Sequence, residues 1–600
     1  MIESNFPSAI YPKRLTFALI ASQVFLFLSL ANAGQVMPVE DWVDDYDLIA
    51  SPDAVVGGKM TIAMGPYPSS FNMYTNYTVQ AVTLFNQIFA DLLDIDQMTL
   101  QWQPKLARKV EISDDQLSFT VHLDPDASWS DGKPITSADF LWTWNAILDP
   151  KNLAGVHRVS LEKFEDPVII DEYTFKLVAK ELHWRNLIVV ASFTILPKHY
   201  FEDKEFNDVD FEFPVVSGLY KIVDNKEGVY LRVQRRDDWW LANAKRYQGI
   251  YNFETIEYRF FQSRDLTWEA FRKGEVDIFP MALSTIWNND AKGKAFDNNW
   301  IVKQRVYNKE PIAFQGFPMN MREEPFNDVR VRKAMAHLLD RRRINETMLF
   351  SEYFMLNSFY ADLYDDEHPN TNPQYEYEPD TARKLLAEAG WVANPETGIL
   401  EKDGKPFVFT FLGRSPTFNK YLVIYKEALK DVGIEMNIEE KDWAAWTKDM
   451  DEFNFEMTLA AWGSSIFRDP EGMWGSKQAD SKSSNNLTGY KNSKVDALID
   501  KQRALFDVND RNEVLREIDR LIQTDVPYVL IWMIDFTRML YWNKFGTPDT
   551  VLDKYSDHEA ANVYWWIDPD QEADLELAIE NDEALPDKPD VIRWEELFQN

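Results

Sequence analysis

The chain has no cysteine. Disulfide frameworks, thiolate metal sites and cysteine nucleophiles are therefore excluded by arithmetic. Positive charge is scarce: 63 Lys and Arg stand against 98 Asp and Glu, a formal charge of −35 over 600 residues. Nucleic-acid binding needs clustered cations to neutralise phosphate, so this balance excludes it for the chain as a whole. After residue 33 no apolar run reaches the roughly 18 residues of a membrane span. Histidines number seven, and none stands in H-E-x-x-H; the G-x-S-x-G and phosphate-loop patterns are also missing. Asp365, Asp366, Glu367 and His368 have metal-ligand chemistry, but they lie in a Pro- and Asn-rich stretch that reads as solvated loop. The sequence thus points to no enzyme activity, no cofactor and no metal.

What is present is a globular composition, 45% hydrophobic and 14% aromatic, with 21 Trp. The length exceeds what one hydrophobic core serves, which predicts two or more domains. Residues 1–33 read as a cleavable secretory signal: Lys13 and Arg14, an apolar run from Leu15 to Leu30, then Ala31-Asn32-Ala33. No cysteine follows it to carry a lipid anchor, so the expected location is the periplasm. Residues 34–57 are an acidic leader with little pattern. Residues 568–600 hold twelve acidic and two basic side chains and read as a mostly disordered or surface-laid tail.

Between these ends, helix and strand patterns alternate. Val82, Phe85, Phe89 and Leu92 have helical spacing. Thr136 and Asp139 form a helix-start pattern ahead of Phe140, Trp144 and Leu148 on one helical face. Helices are predicted over 328–339, 380–389, 419–432, 442–450, 494–506 and 510–524. Strands are predicted over 59–63, 229–233, 255–261, 407–412, 434–438, 457–461 and 527–534. This interleaving argues for α/β layers.

Several segments resemble the family 5 extracellular solute-binding proteins of ABC importers, the dipeptide and oligopeptide type. They are Trp129-Ser130-Asp131-Gly132-Lys133-Pro134-Ile135-Thr136 with Ala138-Asp139-Phe140; Ser217-Gly218-Leu219-Tyr220; Phe271 through Asp277; and Pro325-Phe326-Asn327-Asp328-Val329-Arg330-Val331-Arg332 with Asp340-Arg341. Asn252 through Tyr258, Trp268-Glu269-Ala270-Phe271 and the Trp532-to-Trp566 ending are similar to the YejA-like branch. The resemblance implies an α/β, two-lobed periplasmic-binding-protein fold, type II in its large three-subdomain form, with a hinge and an interlobe ligand cleft. It places lobe I at 58–320 with an inserted subdomain at about 78–210, lobe II at 321–530, and a return to lobe I at 531–568. The crossing segments are expected at Phe314 to Asn320 and Val529 to Asp535. It further implies capture of oligopeptides or modified peptides, hinge closure, delivery to an inner-membrane permease and, indirectly, a cytoplasmic ATPase. The net charge favours a monomer. An oligosaccharide binder on the same fold is the alternative, supported by the aromatic excess.

In many peptide-binding relatives a W-x-G-D-x-x-D-P type loop sets an Asp against the ligand's amino group. Here Trp462-Gly463-Ser464-Ser465-Ile466-Phe467-Arg468-Asp469-Pro470 puts Ser464 or Ser465 at that position. This departure counts against recognition of a free amino terminus and leaves room for blocked or modified peptides. Arg468 is a candidate grip for a ligand carboxylate or phosphate, or a partner of Asp469 or of a carboxylate across the lobe border. Trp462 and Trp474 are candidate pocket walls, and Ser464 and Ser465 candidate hydrogen-bond groups. Asn72 and Tyr74, after the first strand, and Trp443 and Trp446, opening a lobe II helix, complete the candidate set.

Overall fold

The structure, a computed structural model, describes residues 35–75, 78–208, 211–280, 283–414 and 416–598. The expected signal sequence lies outside the described residues. Among them, no helix is long and apolar enough to cross a membrane.

An eight-stranded mixed sheet anchors lobe I. Its order is 591–593, 301–307, 537–542, 278–280, 59–64, 255–260, 230–235, 220–226. The Lys59–Met64 strand runs parallel to both Thr255–Phe260 and Ile278–Pro280. Such parallel strands are covered on both faces: Met60, Ile62, Ile256, Tyr258 and Ile278 are buried on one, and Thr61, Glu257 and Phe279 on the other. The Phe271-to-Asp277 motif is part of this packing: Asp277 accepts from the Thr61 N–H at 2.6 Å and pairs with Lys544 at 2.9 Å.

The inserted subdomain is a five-stranded antiparallel sheet of order 35–37, 107–112, 118–123, 174–178, 168–171, backed by the Ser137–Leu148 helix. The Thr136 N–H donates to Asp139 Oδ2 at 3.0 Å, and Asp139 Oδ1 accepts from the Lys198 N–H at 3.0 Å. Phe140 stacks on Phe175 with ring centres 3.6 Å apart. The 34–57 segment does more than lead into the fold. Gln35–Met37 pairs with the Ala107–Ile112 strand as the sheet's edge, Asp44 pairs with Arg246 at 2.5 Å, and Asp47 accepts from the Tyr564 hydroxyl at 3.0 Å.

Lobe II contains a parallel three-stranded sheet with Val408–Gly413 between Glu435–Glu440 and Met457–Thr458. The Asn419–Asp431 helix makes the first crossover, as parallel pairing requires. Gly433 closes it at φ +88°, where an added Cβ would sit 2.7 Å from the Gly398 carbonyl oxygen. A second, antiparallel sheet joins Ala460–Trp462, Phe314–Pro318 and Tyr528–Leu530. Phe317 and Val529 belong to one lobe II core cluster, Phe314 and Tyr528 to another.

The expected crossing segments, Phe314 to Asn320 and Val529 to Asp535, contain the paired strands Phe314–Pro318, Tyr528–Leu530 and Trp532–Met533. Residues 308–313 and 534–536 connect these strands to 301–307 and 537–542 of the eight-stranded sheet. Of the two readings of the tail, disordered or laid on the surface, the structure shows the second. Pro569–Asn581 is a helix that places Leu575 and Ala578 on Trp300, and Val591–Arg593 adds a parallel strand to the edge strand Ile301–Tyr307. A few apolar contacts on one face thus order a segment whose average charge reads as solvated.

Candidate functional site

In open α/β sheets, ligand crevices form beyond the carboxyl ends of parallel strands. Such a crevice is present here. A cavity of about 650 Å³ is walled by Gly413 and Arg414 at the end of one parallel strand, Thr458 and Leu459 at another, and Asn419, Lys420 and Tyr421 of the crossover helix. Leu283, Ser284 and Thr285, following a lobe I strand, form part of the wall, and Ala313 and Ile534 come from the crossing segments. The cavity therefore lies between the lobes, against the hinge.

Its aromatic floor is set by strand register. Trp462 pairs with Phe314 across two antiparallel strands, and its indole N–H donates to the Tyr528 hydroxyl at 3.2 Å. Gln315 donates to the Trp532 carbonyl at 2.8 Å. Trp532 is covered by Phe418, nearly parallel at 6.3 Å, and by the edge of Tyr421 at 5.4 Å. Flat rings packed this way form a rigid apolar surface.

Arg414 is a residue that the sequence did not single out. Strands 408–413 and 435–440 run in parallel with Gly413 opposite Glu440. Arg414 is next past the first strand and Trp443 opens the helix after the second, so the two meet. The Arg414 guanidinium lies 5.1 Å from the ring centres of both Trp443 and Trp446, which stack on each other at 5.3 Å. Burial pushes the Arg414 pKa below the usual guanidinium range. The only sequence cue to this residue is an Arg directly after a strand ending in Gly413.

The nine candidates do not converge on one cavity. Trp462 lines the interlobe cavity. Trp446 is buried and donates to Thr458 Oγ1 at 3.0 Å, whereas Trp443 is 62% exposed. Asn72 is spent on its own turn, donating to the Phe206 carbonyl at 2.9 Å and accepting from the Tyr74 N–H at 3.1 Å. The buried Tyr74 hydroxyl donates to the Thr194 carbonyl at 2.5 Å. Trp474 is a core ring among Phe314, Phe359 and Tyr528. Ser464 and Ser465 are exposed, and Ser465 Oγ accepts from the Phe467 N–H at 3.1 Å. Arg468 is 8% exposed and forms an ion pair with Asp362, so its guanidinium is committed to a carboxylate of its own lobe.

The loop carrying these residues instead touches the inserted subdomain. Asp469 pairs with Arg185 at 3.1 Å and lies 3.8 Å from His183. Phe467 stacks on Trp102 at 6.4 Å. The Trp184 N–H donates to the Arg503 carbonyl at 3.0 Å, and Arg511 covers the Trp184 ring at 4.2 Å. His183, Asp469 and Glu471 could by residue type hold a metal ion, with ligand atoms within 4.8 Å of one another. Both carboxylates already have guanidinium partners, Arg185 and Arg503, which suits an interlobe ion-pair network better than a cation site. In the other loop with metal-type residues, His368 is paired with Asp365 at 3.0 Å.

Comparisons with known proteins agree with this geometry. Over 90% of the chain and 89% of its own length, the uncharacterized protein y4wM of Sinorhizobium fredii is 27% identical. The probable peptide-binding protein YejA of Agrobacterium fabrum is 27% identical over 74% of the chain and 79% of its own. The oligopeptide-binding protein AppA of Bacillus subtilis, solved with a nonapeptide, superposes with a TM-score of 0.67 at 22% identity, over 86% of this chain and 100% of that one. The family model for the middle region of the bacterial extracellular solute-binding proteins, family 5, matches residues 101–484. With two lobes, two crossings and a cavity at the strand ends between them, the chain belongs to the bacterial extracellular solute-binding proteins of family 5.

Proposed function

We propose that this protein is the periplasmic binding component of an ABC importer, that it captures oligopeptides or modified peptides between its lobes, and that it hands them as a monomer to a membrane permease. The observation that carries this reading is the interlobe cavity, with aromatic walls and a few polar groups, at the ends of parallel strands. AppA, on the same fold, was solved with a nonapeptide. Gln315, Asn419, Ser284 and Thr285 supply hydrogen-bonding groups for a peptide backbone, while Trp462 and Trp532 give side chains apolar contact. Closure signals occupancy only if the ligand binds the closed state better than the open one.

The aromatic floor also suits sugar rings, so the test has two arms. Residues 34–600 are screened by thermal shift against di- to octapeptides, free and N-formylated, and against chito- and cello-oligosaccharides. A ligand at about 100 times its Kd adds about 2.7 kcal/mol to stability. A rise in Tm with peptides is the expected result; a rise with sugars alone overturns the peptide reading.

A further inference from the structure

We propose that Arg414, seated on the Trp443–Trp446 pair, is the receptor for an anionic group of the ligand, and that the cleft selects for ligands bearing one. The inference rests on the interlobe cavity being the ligand site and specifies what that ligand must carry.

Two observations lead to it. First, the cavity walls contain two cations, Arg414 and Lys420, and among the described residues no carboxylate. On a chain with 98 acidic and 63 basic residues, a wall with cations alone runs against the average. Second, among the described residues Arg414 has no carboxylate within ion-pair distance and no hydrogen-bond acceptor; its contacts with Trp443 and Trp446 are through ring faces. Ring faces steady the cation, but they leave the planar N–H fork free, and that fork matches a carboxylate or phosphate with two parallel hydrogen bonds. The other arginine considered for this role, Arg468, is already paired with Asp362. The cavity wall can therefore offer an anion a charged partner, and among the described residues holds no carboxylate of its own for a free ammonium.

The Trp pair also explains why the fork is available. Trp446 is fixed by its bond to Thr458, whose own hydroxyl donates to the Leu412 carbonyl at 2.6 Å. Trp443 then lies against Trp446, and Arg414 packs on both. A guanidinium already ordered on a rigid platform loses less freedom on binding than one held by flexible contacts.

The test compares matched ligands in calorimetry on the full mature chain: hits from the peptide pool as C-terminal acids and as amides, and sugar acids beside their neutral parents. Acids are expected to bind at least about tenfold tighter than their neutral partners, which corresponds to about 1.4 kcal/mol. Arg414→Gln should erase that preference, and Arg414→Lys should restore part of it. Sugar acids binding in the absence of any peptide hit would uphold the anion receptor while sinking the peptide reading. Neutral ligands binding the wild-type chain as tightly as their acids would overturn the proposal, whatever the variants do, and so would an acid preference that survives Arg414→Gln.

Discussion

At the scale of single residues, what decides a side chain's role is whether its polar atoms are already spent. Arg468 shows this. The sequence places it in the loop that faces ligand in related proteins, yet its guanidinium is buried against Asp362. Arg468→Ala is therefore expected to cost stability, about 1–3 kcal/mol, since it strips a charged partner from Asp362. Urea unfolding measures that cost, and an unchanged midpoint would place Arg468 outside the loop's support. The Trp443–Trp446 pair separates in the same way. Trp446 is 8% exposed and Trp443 62%. Trp446→Ala should lose about 3–5 kcal/mol, as buried aromatic truncations do. Trp443→Ala should leave urea unfolding nearly unchanged and weaken only ligand binding; equal losses for the two variants would contradict the packing described.

At the scale of elements, the alternation of helix and strand was legible because periodicity and capping residues are local signals. The helix predicted over 419–432 is observed as Asn419–Asp431, and that over 510–524 as Val508–Asp525. What failed was non-local. The strand read over 457–461 is two pieces in different sheets, Met457–Thr458 with Val408–Gly413 and Ala460–Trp462 with Phe314–Pro318. Sequence alternation does not say which neighbour a strand chooses. The same limit hid the cleft: Arg414 and Trp443 lie far enough apart in the chain that only parallel register brings them together. It also hid what the tail is laid against. Average charge marks 568–600 as solvated, but burial of Leu575 and Ala578 on Trp300 needs only one helical face. Ending the chain before Pro569 would uncover Trp300 and the edge strand at 301–307. The truncated protein should fold yet melt several degrees lower, because uncovered side chains cost about 25 cal/mol per Å² of apolar area. An unchanged Tm would mean the tail contributes no net stability.

At the scale of the whole molecule, charge at the lobe border sets how the two bodies hold together. Behind the cleft, Glu352 of lobe II receives Arg305 at 2.6 Å and Arg538 at 2.7 Å, both from the lobe I sheet. Arg538 is fully buried there, so breaking the pair by Glu352→Ala should cost about 3–5 kcal/mol. A loss under about 1 kcal/mol would show that water already reaches Arg538 in solution. Glu310 lies in the first crossing segment and behaves oppositely. Burial, then the nearby negative charge of Asp557 and Asp553, push its pKa to about 7, against a lowering pull from the Thr537 hydroxyl, 3.2 Å away, and from His558. Because the folded value lies above the unfolded one, about 4.3 for a free Glu, the folded chain binds more protons between the two. Stability contributed by neutral Glu310 is thus fully present below the unfolded value and lost as pH rises through about 7. Asp557 and His558 also face this segment, with shifts of opposite direction, down for Asp557 and up for His558 through their mutual pairing. Glu310→Gln keeps the hydrogen-bonding side chain neutral at every pH and leaves that pair in place. Wild type and variant should therefore have similar stability at pH 5, and the variant should be the more stable by about 1–2 kcal/mol at pH 8, discounted for partial exposure of the segment. Urea midpoints for the two proteins at both pH values measure the difference; parallel pH profiles would mean that Glu310 is charged in the folded chain throughout and that the crossing segment is open to water.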